Sequence, residues 1–230
     1  MKNTFSIAID GPAGAGKSTV AKALAKALDA MYLDTGAMYR AFGLAMLRLG
    51  VDTRDHDAVA AHLDDVNIDV DYVDGGQHIY LDGDDVTGAI RSPEVSDAAS
   101  AISAVAEVRA RMVALQRQIA AGHNVVMDGR DIGTAVLPNA TLKIFLTASA
   151  AERARRRCVE MEEKGTPQPY EQVLADIEAR DYRDTHRAAS PLRAAEDAVT
   201  VDTSDMNMQQ VIQTLLDLAQ KADIRYTMEN

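Results

Sequence analysis

An apolar run over residues 5–10, FSIAID, leads straight into Gly11-Pro12-Ala13-Gly14-Ala15-Gly16-Lys17-Ser18-Thr19, and this junction constrains the chain more than any other stretch. It fills every fixed position of G-x-x-x-x-G-K-[ST] between a strand pattern and a helix pattern. The glycines let the backbone turn tightly with its N–H groups facing inward. A helix starting at Lys17 adds the positive end of its dipole, so the ligand this corner suits is a polyphosphate. Residues 11–19 are therefore the expected ATP cradle, with Lys17 spanning the β- and γ-phosphates and Ser18 offering its hydroxyl to Mg²⁺. A merely structural Gly-rich turn would leave a lysine at a helix mouth without purpose.

Four further apolar runs, at 30–34, 124–128, 142–148 and 198–202, are short and bounded by turn or polar residues, as buried parallel strands are. Residues 17–28, 35–49, 93–121, 149–163, 170–187 and 207–222 carry apolar residues at helical spacing. Strands alternating with helices predict an α/β fold, a five-stranded parallel sheet flanked by helices, with ligands at the carboxyl ends of the strands. Residues 66–90 depart from this. They alternate apolar and polar with period two and carry turn signals at Gly75-Gly76 and Asp82-Gly83, which predicts a small antiparallel sheet inserted between helices.

A formal net charge of -11 argues against a nucleic-acid surface, because a polyanion partner needs a basic footprint. Within that acidic total, eight arginines fall between Arg153 and Arg193. Arg presents a planar fork that fits two phosphate oxygens at once, so the cluster is a local phosphate signal; helix-surface ion pairing with nearby Glu and Asp is the other reading. The single cysteine, Cys158, excludes a disulfide framework within the chain. The apolar run at 5–9 is too short for a signal-peptide core, and no stretch reaches the roughly 20 apolar residues of a membrane span, so a cytosolic location is expected. The histidines are scattered without ligand spacing.

Nucleotide binding leaves hydrolase and transferase open. No Asn-Lys-x-Asp segment is present to read guanine, and Asp128, the acid expected on the Mg²⁺ side and reaching the ion through water, is followed by Gly129-Arg130-Asp131 and not by a Glu that could polarise water. A phosphate acceptor needs no such base, since its second pKa of about 6 leaves it largely ionised at neutral pH. What its transfer needs is positive charge and alignment.

At this level of detail the chain resembles the bacterial-type cytidylate kinases among the nucleoside monophosphate kinases. The resemblance rests on IDGPAGAGKST at 9–19, LDTGAMYR at 33–40, the sheet insert, VR at 108–109, MDGRDIGT at 127–134, KIFLTAS at 143–149 and RDYRDTHRAASPL at 180–192, in order and over nearly the whole chain. Many family members have Gly after the P-loop lysine and Ser at the position of Thr35; the hydroxyls of Ser18 and Thr35 preserve the chemistry. The resemblance implies ATP and CMP or dCMP as substrates and Mg²⁺ as cofactor. It places Thr35, Tyr39 and Arg40 on the acceptor-phosphate side, although Thr35 would also serve as a helix N-cap. Ser100, Arg109 and Asp131 would read the base. Asp131 would accept from the cytosine amino group and repel a uracil carbonyl, unless it is spent on a salt bridge to Arg130 or another arginine. Arg180 and Asp184 would hold the ribose, and Arg187 with Arg130 the acceptor phosphate. Spaced i, i+4, i+7, Arg180, Asp184 and Arg187 are expected on one face of a 170–187 helix.

Residues 149–168 resemble the short mobile lid of such kinases, hinged at 165–169. Closure of such a lid would bring at least one of Arg153, Arg156 and Arg157 onto the ATP phosphates and exclude water. Cys158 is expected to pack inside this helix. The whole chain is then one P-loop kinase domain with a core (1–34, 121–148, 169–230), an acceptor-binding region carrying the insert (35–120) and the lid (149–168), and is expected to act as a monomer. Two rival readings stand beside it. One is a P-loop kinase for UMP or a small metabolite; the other is an ATP-dependent switch protein that turns over without an acceptor.

Overall fold

The computed structural model describes residues 4–73 and 75–224. Among these the chain divides into two compact units, one holding the residues up to Tyr32 and from Gly122 onward, the other Leu33–Ala121.

The sheet of the first unit is built from β1 (Ser6–Asp10), β2 (Met31–Asp34, whose last two residues open the second unit), β6 (Val125–Gly129), β7 (Leu142–Thr147) and β8 (Val199–Asp202). They are parallel and lie in the order β2-β6-β1-β7-β8. All five expected strands are present. Burial on both faces explains why β1, β6 and β7 read as unbroken apolar runs: Ile7, Ile9, Val126, Ile144 and Leu146 are essentially inaccessible to solvent. They pack with Val20 and Leu24 of α1 (Lys17–Ala27) and Val211 and Leu215 of α8 (Met208–Lys221) into one apolar core. Burying each such side chain contributes about 1.5–3 kcal/mol. The start of α8 is set by a capping box between Asn207 and Gln210. In the parallel register Asp10 lies opposite Gly129, so β1 and β6 end level and deliver their following loops to the same edge of the sheet. The remaining helices of this unit, α6 (Ala150–Glu163) and α7 (Tyr170–His186), pack on each other through Ala154, Val173 and Ile177, with Cys158 against that cluster as expected.

The second unit contains α2 (Thr35–Leu49), a short α3 (His56–Ala61) that carries no sequence signal strong enough to have been expected, and the inserted sheet β3 (Ile68–Val73), β4 (Gly76–Leu81) and β5 (Asp84–Asp85). The insert is antiparallel in the order β3-β4-β5, as its period-two pattern predicts. The single helix expected over 93–121 is instead two, α4 (Pro93–Ile102) and α5 (Ala106–Ala120). No Gly or Pro marks the break. Val105 turns to extended backbone, the Ser103 hydroxyl donates to the Ser100 carbonyl, and Arg109 Nη1 reaches back 3.2 Å to the Ser103 carbonyl, so side chains satisfy the groups that the missing helical turn would have used.

Candidate active site

The corner between β1 and α1 is assembled from close backbone approaches. Gly11 sits at φ 152, and a Cβ there would lie 1.9 Å from the Leu146 carbonyl oxygen of β7, so this first position of the loop admits only glycine. Gly16 turns the chain into α1 in the left-handed region and supplies no side-chain cap, which leaves the first N–H groups of the helix directed into the loop. Lys17 is buried and its Nζ donates to the Pro12 carbonyl at 2.7 Å. Burial first, then the nearby Arg130 and Arg180, lower its pKa well below the usual lysine range, while Asp128 and Asp10 oppose them. The two arginines disfavour the lysine charge electrostatically, and an anion of high charge is what would relieve that repulsion. Ser18 and Thr19 are exposed in the first turn of α1.

Ser18 Oγ donates to Asp128 Oδ2 at 2.8 Å, bringing together the two groups expected on the Mg²⁺ side. Asp128 also accepts at 2.8 Å from the Tyr32 hydroxyl, a partner the sequence did not single out. Two oxygen donors fit a hard cation that keeps most of its shell as water and phosphate oxygens. No cluster of three or more His, Cys, Asp or Glu side chains suited to a metal exists among the described residues.

The acceptor candidates of this unit also converge. Arg130 Nε donates to Asp184 Oδ2 at 2.9 Å. Burial would raise the Asp184 carboxyl, but Arg130, Arg180 and Arg187 outweigh it and hold its pKa below the usual range. Arg130 donates to Asp184 and the Gly129 carbonyl, and Asp131 Oδ1 lies 3.8 Å from Arg187 Nη2, an ion pair with another arginine of the kind the sequence left open. One expectation is corrected here. Arg187 is not on the α7 face, because α7 ends at His186 and Arg187 takes extended backbone (φ −63, ψ 142), its Nε donating to the Ser190 carbonyl. Helical spacing alone aligns only Arg180 and Asp184.

The three arginines of α6 are separated by their surroundings. Arg153, 4% exposed, forks onto Asp181 (Nη2 to Oδ2 2.5 Å, Nη1 to Oδ1 3.2 Å) and donates to the Ala148 and Ala13 carbonyls, which makes it a brace under the glycine loop. Arg156 donates to Thr203 and Glu152. Arg157 is exposed and donates to Glu160 Oε2 at 2.7 Å.

In the second unit the start of α2 is set by Asp34, whose carboxylate accepts from the Ala37 N–H. Thr35 is therefore the first helical residue and not the cap, 3% exposed. Asp34 Oδ2 also accepts from Arg40 at 2.8 Å. Gln77, on β4 of the insert, grips the Asp34 backbone at both ends, its Oε1 accepting from the N–H at 2.7 Å and its Nε2 donating to the carbonyl at 3.2 Å. Nothing in the sequence pattern pointed to Gln77, because its partner is 43 positions away. The Arg109 guanidinium lies over the Tyr39 ring, 5.8 Å from its centroid, and is buried. Ser100 Oγ is buried and has no hydrogen-bond partner among the described residues, a group that a ligand would satisfy.

A family model described as cytidylate kinase matches residues 7–221. A cytidylate kinase of Mycolicibacterium paratuberculosis is 53% identical over 222 residues, 96% of this chain and 97% of the relative. One of Caldicellulosiruptor bescii is 50% identical over 217 residues, covering 94% and 96%. Among solved structures, a gluconokinase from Sinorhizobium meliloti aligns over 97% of this chain and 96% of its own at 16% identity with a TM-score of 0.50, a likeness of fold. An uncharacterized protein from Eubacterium ventriosum aligns over 96% and 100% at 14% identity with a TM-score of 0.52.

Proposed function

The chain belongs to the cytidylate kinase family, and from that premise we propose how its residues move the γ-phosphoryl group of ATP onto CMP. It is a nucleoside monophosphate kinase, a transferase. The observation that carries the mechanism is the corner after β1, where buried Lys17 lies over the glycine loop with its Nζ 2.7 Å from the Pro12 carbonyl and Ser18 Oγ meets Asp128 at 2.8 Å, an arrangement suited to polyphosphate. Phosphoryl transfer is positioning and charge stabilisation, and the acceptor phosphate supplies its own ionised oxygen, so no side-chain base is required.

The N–H groups of residues 11–19 and Lys17 hold the ATP phosphates. Ser18 and Asp128 would hold Mg²⁺, which when bound neutralises charge on the phosphate oxygens. Arg130 and Arg187 grip the acceptor phosphate, with Thr35, Tyr39 and Arg40 assigned to the same group. Arg180 and Asp184 take the ribose, and Ser100, Arg109 and Asp131 the cytosine. Of the α6 arginines, exposed Arg157 is the one assigned to the transferring phosphate; Arg156 stays with the ATP side through Thr203, and Arg153 acts by bracing the loop at Ala13. The 2′-deoxy nucleotide is a second acceptor. We assign the chain to the cytosol as a monomer; no described helix is long and apolar enough to cross a membrane.

A coupled ADP-release assay with ATP, Mg²⁺ and a panel of nucleoside monophosphates tests the reading. CMP and dCMP are expected to give the highest rates. Rapid ADP release with no acceptor would point to a switch or hydrolase, and faster turnover of UMP than CMP would remove the cytosine assignment.

A further inference from the structure

Helix α7 turns one stripe toward α6. Val173 and Ile177 pack with Ala154, and Asp181, four positions beyond Ile177, continues the same face. Its carboxylate meets the buried Arg153 guanidinium as a fork, Nη2 to Oδ2 at 2.5 Å and Nη1 to Oδ1 at 3.2 Å. Arg153 Nε donates to the Ala148 carbonyl at 2.9 Å, and Nη1 is shared with the Ala13 carbonyl of the glycine loop at 3.0 Å. Loop and helix are in direct contact there: a Cβ on Gly14 would stand 3.2 Å from Arg153 Cβ. Asp181 is the acceptor that Nη2 has among the described residues.

We propose that Asp181 is a positioning residue for the donor phosphates, acting through Arg153 to aim the Gly14 N–H of the glycine loop at the polyphosphate. The inference rests on the assignment of residues 11–19 to ATP. The Ala13–Gly14 peptide is trans, so its carbonyl and its N–H point in opposite directions. Pinning the Ala13 carbonyl to Arg153 therefore turns the Gly14 N–H away from α6, and that N–H donates to no group among the described residues. Gly14 is exposed and sits at φ 75, the left-handed conformation from which backbone anion cradles are built. Asp181 enters because a single guanidinium holds three partners. Without Asp181 the Nη2 donors of this buried cation lose their acceptor, and a buried charge deprived of its partner rotates or draws in water. The fork fixes the plane of the guanidinium and with it the direction from Nη1 to Ala13. It also ties the loop to the helix that carries Asp184, three positions beyond Asp181.

Two readouts on the full chain test this, with Mg²⁺, a non-hydrolysable ATP analogue and no acceptor: the dissociation constant by calorimetry, and the ¹H–¹⁵N resonance of the Gly14 amide through the same titration. KM for CMP is measured alongside. In the wild type the Gly14 proton should move well downfield as the analogue binds. D181N is nearly isosteric but sets an NH₂ against a guanidinium N–H. It should weaken the analogue about tenfold, the scale of a hydrogen bond to a charged group, reduce the Gly14 shift by about half or more, and raise KM for CMP by less than about threefold. R153K, a point charge that cannot fork, should do the same, and D181N/R153K should lose little more than either alone, as expected of residues acting through one another. R153K carries the test if D181N does not fold. A full Gly14 shift in D181N, or equal weakening of the analogue and CMP, reduces Asp181 to a structural ion pair and overturns the proposal. A Gly14 resonance that stays still in the wild type while the analogue binds also overturns it and leaves the ATP assignment standing. A wild-type chain that does not bind the analogue removes that assignment and this inference together.

Discussion

The corners after β1 and after β2 face the same physical problem, the unpaired N–H groups at a helix N-terminus, and meet it in opposite ways. After β1, Gly16 brings no side chain to α1, so the N–H groups and the helix dipole stay available to an anion, with Lys17 set among them. After β2, the Asp34 carboxylate occupies the α2 N-terminus itself and at the same time anchors Arg40. An open corner binds phosphate through backbone, whatever the nucleotide. A closed corner can offer phosphate only side chains, and the identity and reach of those side chains decide which small molecule fits. On the proposed assignment, donor binding is generic and acceptor binding selective.

Substitutions can break or sharpen that contrast. Lys17→Ala removes the lysine charge of the open corner, and a loss of about 10³-fold in kcat is expected in the coupled ADP-release assay; a change under tenfold would mean that the backbone alone suffices. At the closed corner, Arg40→Ala should raise KM for CMP about 30-fold, the scale of a hydrogen bond to a charged group, and leave KM for ATP nearly unchanged. Equal rises in both constants would erase the distinction between the corners.

The turn after β6, Ile132–Val136, extends the comparison, because its Ile132 and Gly133 N–H groups are closed by the Asp10 carboxylate from another strand, at a cost. Asp10 rises from 3.8 to about 6 in the fold. The native state therefore holds this proton where the unfolded chain has lost it, so the stability due to Asp10 increases as pH falls from 7 toward 4 and declines as pH rises through 6. Relative to D10N, the wild type should gain about 2 kcal/mol of unfolding free energy between pH 7 and pH 4.5 in chemical denaturation. A pH-independent difference would show that Asp10 is not held at a raised pKa. The smallest effect is expected from Gln77→Ala, which frees the Asp34 backbone and should raise KM for CMP by about threefold, with unfolding midpoint little changed. No effect on CMP would leave the inserted sheet without a part in the acceptor corner.

How much of this was legible in the sequence follows from the range of the interactions. The β1 and β6 strands were readable because burial on both faces leaves an apolar run, and the glycine loop because its residue types are dictated by backbone sterics within nine positions. Thr35 and Arg187 were misplaced for a related reason. A cap or a helix end moves by one residue when a neighbouring side chain competes for the same N–H, and the Asp34 carboxylate does so for α2. The α4/α5 break was hidden because the Ser103 and Arg109 side chains replace the lost turn without interrupting the apolar spacing.

By itself the sequence determined the class of reaction and the glycine corner: a strand, a glycine loop, a lysine and a serine, consecutive in the chain, owe their arrangement to local geometry. Only the tertiary structure decided what the isolated charges do. It separated Arg153, a brace beneath the loop, from Arg157 on the surface, though four positions part them. It tied Asp10 to a turn more than 120 positions away. A charged side chain takes its role from the partner that burial forces on it, and that partner is chosen by the packing of strands and helices, which no short stretch of sequence contains.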